Sequence, residues 1–151
     1  MTVGDGGLWE AFRATVFRAE AGGRQIAIRV GEPECESLRE TLDDCGATRW
    51  AYITAWNPNG EDRPPDENRS ANAKLRRELE SRGLPFFEGA GEPEPPSDHE
   101  PEASYLVLGI ERSAAIELGR RFGQVAIVFG TRGNPAELLP CFPDGQERPK
   151  P

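Results

Sequence analysis

Apolar residues recur along this chain with two different periods. Between residues 14 and 30, ATVFRAE and QIAIRV flank AGGR, and Ile26, Ile28 and Val30 alternate with other positions. A period of two marks a strand with one covered face. The paired glycines supply the positive φ of a tight turn, so a β-hairpin is expected. Before it, LWEAFR (8–13) predicts a short helical turn that seats Trp9 and Phe12. From Pro33 to Cys45 the spacing changes. Cys35, Leu38, Leu42 and Cys45 share a helical face, and Gly46 supplies the stop. RWAYITAW (49–56) returns to the period of two, with Ala51, Ile53 and Ala55 opposite Trp50, Tyr52, Thr54 and Trp56. Both of its faces are largely apolar, which predicts a central strand covered on both sides.

A second helix is predicted from about Glu67 to Arg82, ending at Gly83, and LPFFE then reads as a short strand. Acids and prolines without a basic residue fill the segment that follows, so 89–103 is expected to be a mobile loop. SYLVLGI and QVAIVFG read as buried strands. Between them a third helix starts near Ser113, with Ala115, Leu118, Gly119 and Phe122 on one face. TRGN is a turn and AELLPC a final edge strand stopped by Pro140. Strands alternating with helices place the chain in the α/β or α+β class. The expected form is one domain over 1–142, a mixed β-sheet with an N-terminal hairpin and about three covering helices. The remainder, 143–151, reads as a flexible tail.

Composition narrows the function. The 151 residues carry a formal charge of −8, which argues against broad nucleic-acid binding, since that depends on neutralising phosphates. No apolar run approaches the roughly 20 residues a membrane helix needs. MTVGDGGLWEAF lacks the basic start and greasy stretch of a secretory signal, so the cytoplasm is the expected location. Three cysteines, Cys35, Cys45 and Cys141, form an odd set without CxxC spacing. They predict small buried hydrophobes rather than disulfides or a zinc site.

The second helix holds the anomaly. At about 100° per residue from Asn68, Asn72 falls near 40°, Leu75 near −20° and Leu79 near 20°. Asn68 and Asn72 therefore occupy the first turns of the stripe that later becomes leucine. Burying an amide without partners costs roughly 1–3 kcal/mol, and the Asn57-Pro58-Asn59-Gly60 corner is the nearest source of partners. Thr54 and Asn57 sit at or just past the end of a central strand, where ligands favour the crevice of open α/β sheets. The plain alternative is that these amides only tie down the preceding loop, with Asp66 capping the helix. Two further polar groups are Glu102-Ala103-Ser104, before a buried strand, and Gln124, just past the Gly123 stop. Each is open to a functional reading, and equally to that of a solvated acid or a helix-end cap.

Those residues also carry a resemblance. TAWNP (Thr54 to Pro58), Glu67-Asn68, E-x-S-x-L-V-x-G-I (Glu102 to Ile110) and FGQ-x-A-I-V (Phe122 to Val128) together resemble the bacterial family known as domain of unknown function 3293. Where that family often carries an aromatic residue shortly before the Glu, this chain reads DHEPE, with His99 in the neighbourhood. The resemblance supplies no activity. It implies that Thr54, Asn57, Glu67, Asn68, Glu102, Ser104 and Gln124 form a set that converges in space.

Several chemistries are unsupported. There is no phosphate-loop or dinucleotide-binding glycine pattern and no GxSxG elbow, and the one histidine, His99, lies among prolines and acids. A histidine-rich metal centre is excluded, while a carboxylate-only Mg²⁺ site through Glu67 and Glu102 is chemically allowed. Cofactor and oligomeric state are left open. The first reading is a domain binding a polar small molecule, nucleotide-like or otherwise rich in amides and hydroxyls. Thr54, Asn57, Asn68, Asn72, Ser104 and Gln124 would orient the ligand and Trp56 stack on it. The second is an enzyme using Glu102 or Glu67 as general acid/base. The third is a protein-interaction module in which the amides only stabilise loops.

Overall fold

The computed structural model describes residues 10–58, 61–93 and 102–142. Trp9, the Asn59-Gly60 corner, His99 and the tail from 143 lie outside them.

After a helical turn at 10–13, β1 (Thr15–Ala21) and β2 (Arg24–Ile28) form the expected hairpin. Gly22 and Gly23 take φ of +57° and +86° at its turn, a conformation most side chains resist. Helix α1 (Glu36–Asp44) follows, then β3 (Arg49–Ile53), α2 (Pro65–Arg82), β4 (Phe86–Pro93), β5 (Glu102–Leu108), α3 (Arg112–Arg121), β6 (Ala126–Thr131) and β7 (Glu137–Pro140). The strands make one sheet in the order β2-β1-β4-β5-β3-β6-β7. All six strand pairings are antiparallel, and the parallel component is a bridge between Val30 and Ala136. The fold is α+β, in a single small domain.

That bridge joins the two edges of the sheet. The Gly31 N–H donates to the Ala136 carbonyl at 2.8 Å, and the Ala136 N–H to the Glu32 carbonyl at 2.9 Å. Nearby, the buried Glu34 carboxylate accepts the Gly133 N–H at 2.8 and 3.1 Å, with Arg39 at 3.6 Å. The sheet is thereby curled, with a concave and a convex face. Alternation along the strands divides the core accordingly. Phe17, Ile26, Ile28, Trp50, Tyr52, Leu106, Leu108 and Val128 line the concave side, joined by Leu38 and Leu42 of α1. Ala51, Ile53, Tyr105, Val107, Ile127 and Phe129 line the convex side under Leu75 and Leu79 of α2 and Ala115 and Leu118 of α3.

The structure revises three expectations. Strand β4 runs on through Gly89 to Pro93 and β5 begins at Glu102, so both ends of the expected mobile segment 89–103 are strand, and 94–101 lie outside the described residues. Small residues permit this extension. A Cβ on Gly89 would stand 1.8 Å from the Arg18 carbonyl oxygen, so a larger residue would push β4 away from β1. Helix α2 starts at Pro65 rather than Glu67. Proline suits a first helical position because its missing N–H is not needed there, and no side chain, Asp66 included, caps the end. Of the cysteines Cys141 is buried, but Cys35 is half-buried and Cys45 exposed, because both lie just outside α1.

Candidate functional site

Two aspects of the chain after β3 set its path into α2. Asn57 adopts φ of +47°, a left-handed conformation that asparagine tolerates better than most residues. The chain then turns back to Pro65 with its polar groups gripped by side chains. Asn68 Oδ1 accepts the Asn57 N–H at 2.8 Å, and its Nδ2 donates to Asn57 Oδ1 at 2.8 Å and to the Arg63 carbonyl at 3.2 Å. Asn57 Oδ1 also accepts the Arg63 N–H at 2.9 Å. One turn later, Asn72 Oδ1 accepts the Ala55 N–H at 2.8 Å while its Nδ2 donates to the Ala103 carbonyl at 2.9 Å. The Thr54 hydroxyl donates to the same carbonyl at 2.6 Å and accepts the Trp56 N–H at 3.0 Å.

These partners explain amides on a leucine stripe. Asn68 and Asn72 are buried, and each replaces the water that the loop backbone loses on burial. Asn68 uses the 57–63 corner, as its position suggests. Asn72 instead ties the end of β3 to the start of β5. Apart from the bond between the Asn68 and Asn57 side chains, their hydrogen bonds go to the protein's own main chain, which makes them a clamp.

The clamp borders a cleft of about 770 Å³ at the end of the concave face where β1, β5 and β6 begin and β3 and β4 finish. Phe12, Phe17, Tyr52 and Val128 give it an apolar wall, and Thr54, Trp56, Asn57, Asn68, Glu102, Ser104 and Gln124 also line it. Phe17 stands between Phe12, stacked at 6.2 Å, and Tyr52, edge-on at 5.2 Å. The Tyr52 hydroxyl crosses the concave face to donate to the Arg18 carbonyl at 2.7 Å. Burial pushes its pKa well above the usual phenol range, with Ser104 and the Arg18 carbonyl opposing the shift. Ser104 donates to the Glu102 carbonyl at 2.8 Å.

Gln124 differs from the other amides. Its Nε2 donates to two carbonyls, those of Trp56 and Phe122, each at 3.3 Å. Two acceptors on one atom fix the amide's orientation. Its Oε1 accepts no bond from a described residue, which leaves an acceptor available in this cleft.

Seven of the nine residues singled out in the sequence therefore border one cleft. The other two do not. Asn72 is buried behind it, and Glu67 is exposed in the first turn of α2, away from the lining. Glu67 and Glu102 are not brought together, and among the described residues no three His, Cys, Asp or Glu side chains cluster as a metal site would need. The crevice rule belongs to parallel strands, whereas in this antiparallel sheet strands both begin and end at the cleft. Sequence reasoning passed over Arg63, Tyr52, Phe12 and Phe17 as site residues. The alternation of β1 and β3 put Phe17 and Tyr52 on a common kind of face but gave no sign of which end would stay open. A lone cation directly before Pro64-Pro65 was the available signal for Arg63.

Among the described residues no helix is long and apolar enough to cross a membrane. Comparison with curated proteins and with solved structures gives no match. Residues 53–127, about half of the chain, match the model of a family described as a protein of unknown function, DUF3293. That span runs from the end of β3 into β6. It holds the clamp, Arg63, the Glu102–Ser104 rim and Gln124, and omits the hairpin, α1 and β7. On the strength of that match the chain belongs to the DUF3293 family.

Proposed function

We propose that this protein binds a polar small molecule in the cleft at the open end of its curled sheet. One observation carries the reading. Four separate segments bring Thr54, Trp56 and Asn57, then Arg63, then Glu102 and Ser104, and finally Gln124 to the border of a single cleft of about 770 Å³. Ligand sites commonly have volumes of about 300–1,000 Å³ and combine apolar walls with a few oriented polar groups. Here Phe12, Phe17 and Tyr52 offer the wall, Trp56 a face for stacking, and Gln124 Oε1 an acceptor. Thr54, Asn57 and Asn68 shape the rim, and Asn72 holds it from behind.

The test is a thermal-shift screen of nucleosides, nucleotides and small organic acids against the wild type and Ala14→Trp. Ala14 is exposed and lines the cleft, so a bulky side chain there obstructs the site without entering the core. A ligand that binds only the native state raises the melting temperature by mass action. The expected outcome is a concentration-dependent rise in the wild type that Ala14→Trp abolishes. A rise of equal size in both proteins would remove the cleft from consideration.

An enzymatic reading has one observation in its favour: of the two candidate acid/base residues, Glu102 lines the cleft. Should a substrate be found, unchanged turnover in Glu102→Gln would eliminate that role.

A further inference from the structure

Arg63 is the basic side chain lining the cleft, and the amide clamp grips both polar groups of its main chain. The clamp thus fixes where this side chain starts. Its guanidinium, in contrast, is poorly matched by the protein. Nε is buried without a hydrogen-bond partner among the described residues. Among the described residues the nearest carboxylate is Glu61, at 3.9 Å, the outer limit of an ion pair, on a side chain itself 54% exposed. Asp62 also lines the cleft, yet it accepts from Asn57 Nδ2 at 3.4 Å and forms no ion pair with Arg63. Several arginines elsewhere have close partners: Arg132 lies 2.7 Å from Asp43, Arg24 2.7 Å from Asp44 and Arg121 2.8 Å from Glu78. In a chain of formal charge −8, a cleft-lining arginine without a close carboxylate stands out.

We infer that Arg63 is the anion-recognising residue of the cleft and that the ligand is a small monocarboxylate whose apolar body lies against Phe12, Phe17 and Tyr52. The inference rests on the cleft being a small-molecule site and names the class of molecule. Arginine presents a planar array of donors that matches a carboxylate, and charge-assisted hydrogen bonds of this kind are short and strong. The side chain is 28% exposed, so an oxyanion reaches it while much of the guanidinium is already shielded from water. Helix α2 begins at the same wall, with Pro65 lining the cleft, but Asp66 and Glu67 in its first turn offset the partial positive charge of that end, so Arg63 carries the recognition. The charge balance limits the ligand. Asp62 and Glu102 share the lining, so a single added carboxylate meets far less repulsion there than a triphosphate would.

Matched probes test this: phenylacetate against phenylacetamide, and indole-3-acetate against its amide, with AMP and ATP as phosphate comparisons. Binding is measured by calorimetry and ligand-observed NMR on the full chain. In the wild type each carboxylate should bind about tenfold or more tighter than its amide, with ATP weakest. Arg63→Gln should erase the preference and leave amide binding unchanged, and Arg63→Lys should restore only part of it. The clamp contacts Arg63 through its main chain, so both variants should fold, which an unchanged melting temperature verifies. Equal binding of acid and amide by the wild type, a preference that survives Arg63→Gln, or tighter binding of AMP than of the carboxylates would each overturn the Arg63 assignment. The cleft would remain a binding site in all three cases. If no probe binds up to its solubility limit, both the assignment and the small-molecule reading fall.

Discussion

The two ends of the concave face are built from opposite materials. At one end Leu38 and Leu42 of α1 are fully buried beside Ile26, Trp50 and Leu108, and hydrocarbon closes the sheet. At the other end, among the described residues, the 10–13 turn and the start of α2 reach only the border of the opening. The wall of Phe12, Phe17 and Tyr52 meets a rim of clamped backbone, Arg63, Ser104 and Gln124 around a cleft. The closed end is stabilised by burial. The open end is stabilised by side-chain amides that satisfy the loop, which leaves its space unfilled. A domain of this size gains little from an unfilled cleft, so the contrast separates the half that holds the fold from the half with room for a ligand.

The largest expected effect lies at the closed end. Leu38→Ala should destabilise the protein by about 3 kcal/mol, the usual range for a fully buried leucine being about 2–5 kcal/mol. Denaturant unfolding measures it, and ligand affinity of the folded fraction should not change. A cost below about 1 kcal/mol would mean that α1 is not the plug described.

Next comes the clamp. Asn72→Leu keeps the side chain's approximate shape but leaves the buried Ala55 N–H without its acceptor, whereas the Ala103 carbonyl keeps Thr54. About 2 kcal/mol should be lost, the cost of one buried unsatisfied donor. A neutral or stabilising result would show that the amide was not required by the loop.

Much of this contrast was legible in the chain, and the rest was hidden for physical reasons. Alternation in β1, β2 and β3 marked the hairpin and the two-faced central strand, because the period of two survives any arrangement of neighbours. The register of Asn68 and Asn72 with Leu75 exposed the clamp. Strand direction was not encoded, because a buried run such as Tyr105 to Leu108 is equally apolar in parallel and antiparallel sheets. Nor did GAGEP read as strand. Its glycines serve the close approach of β4 to β1, a tertiary contact with no local signature. The cleft itself is defined by where packing stops, and a sequence records that poorly.

A smaller effect belongs to alkaline pH. Burial raises the Tyr52 phenol well above its ordinary value of 10.0, and it raises the Cys141 thiol from 9.0 to about 12. For both groups the folded state holds its proton more tightly than the unfolded chain. Their contribution is complete below the unfolded pKa and is lost as pH rises towards the folded value. Stability should therefore be insensitive to these groups below about pH 9. Above that it should fall by up to about 1.4 kcal/mol per pH unit for each group. Urea titrations from pH 8 to 11 measure the slope, and Tyr52→Phe should flatten the part that begins near pH 10. An unaltered slope would place the Tyr52 hydroxyl in solvent contact.

Two tryptophans report on the two ends directly. Trp50 is 1% exposed with its indole N–H buried and unpartnered among the described residues, packed so closely on Gly130 that a Cβ there would stand 2.4 Å from the ring. Trp56 is half-buried and lines the cleft. The decisive measurement follows their indole N–H resonances by ¹H–¹⁵N NMR while indole-3-acetate is titrated into the full chain. The account predicts a saturable shift of the Trp56 resonance with Trp50 stationary. Movement of Trp50 alone, or of both together, would contradict the division into a closed structural end and an open binding end.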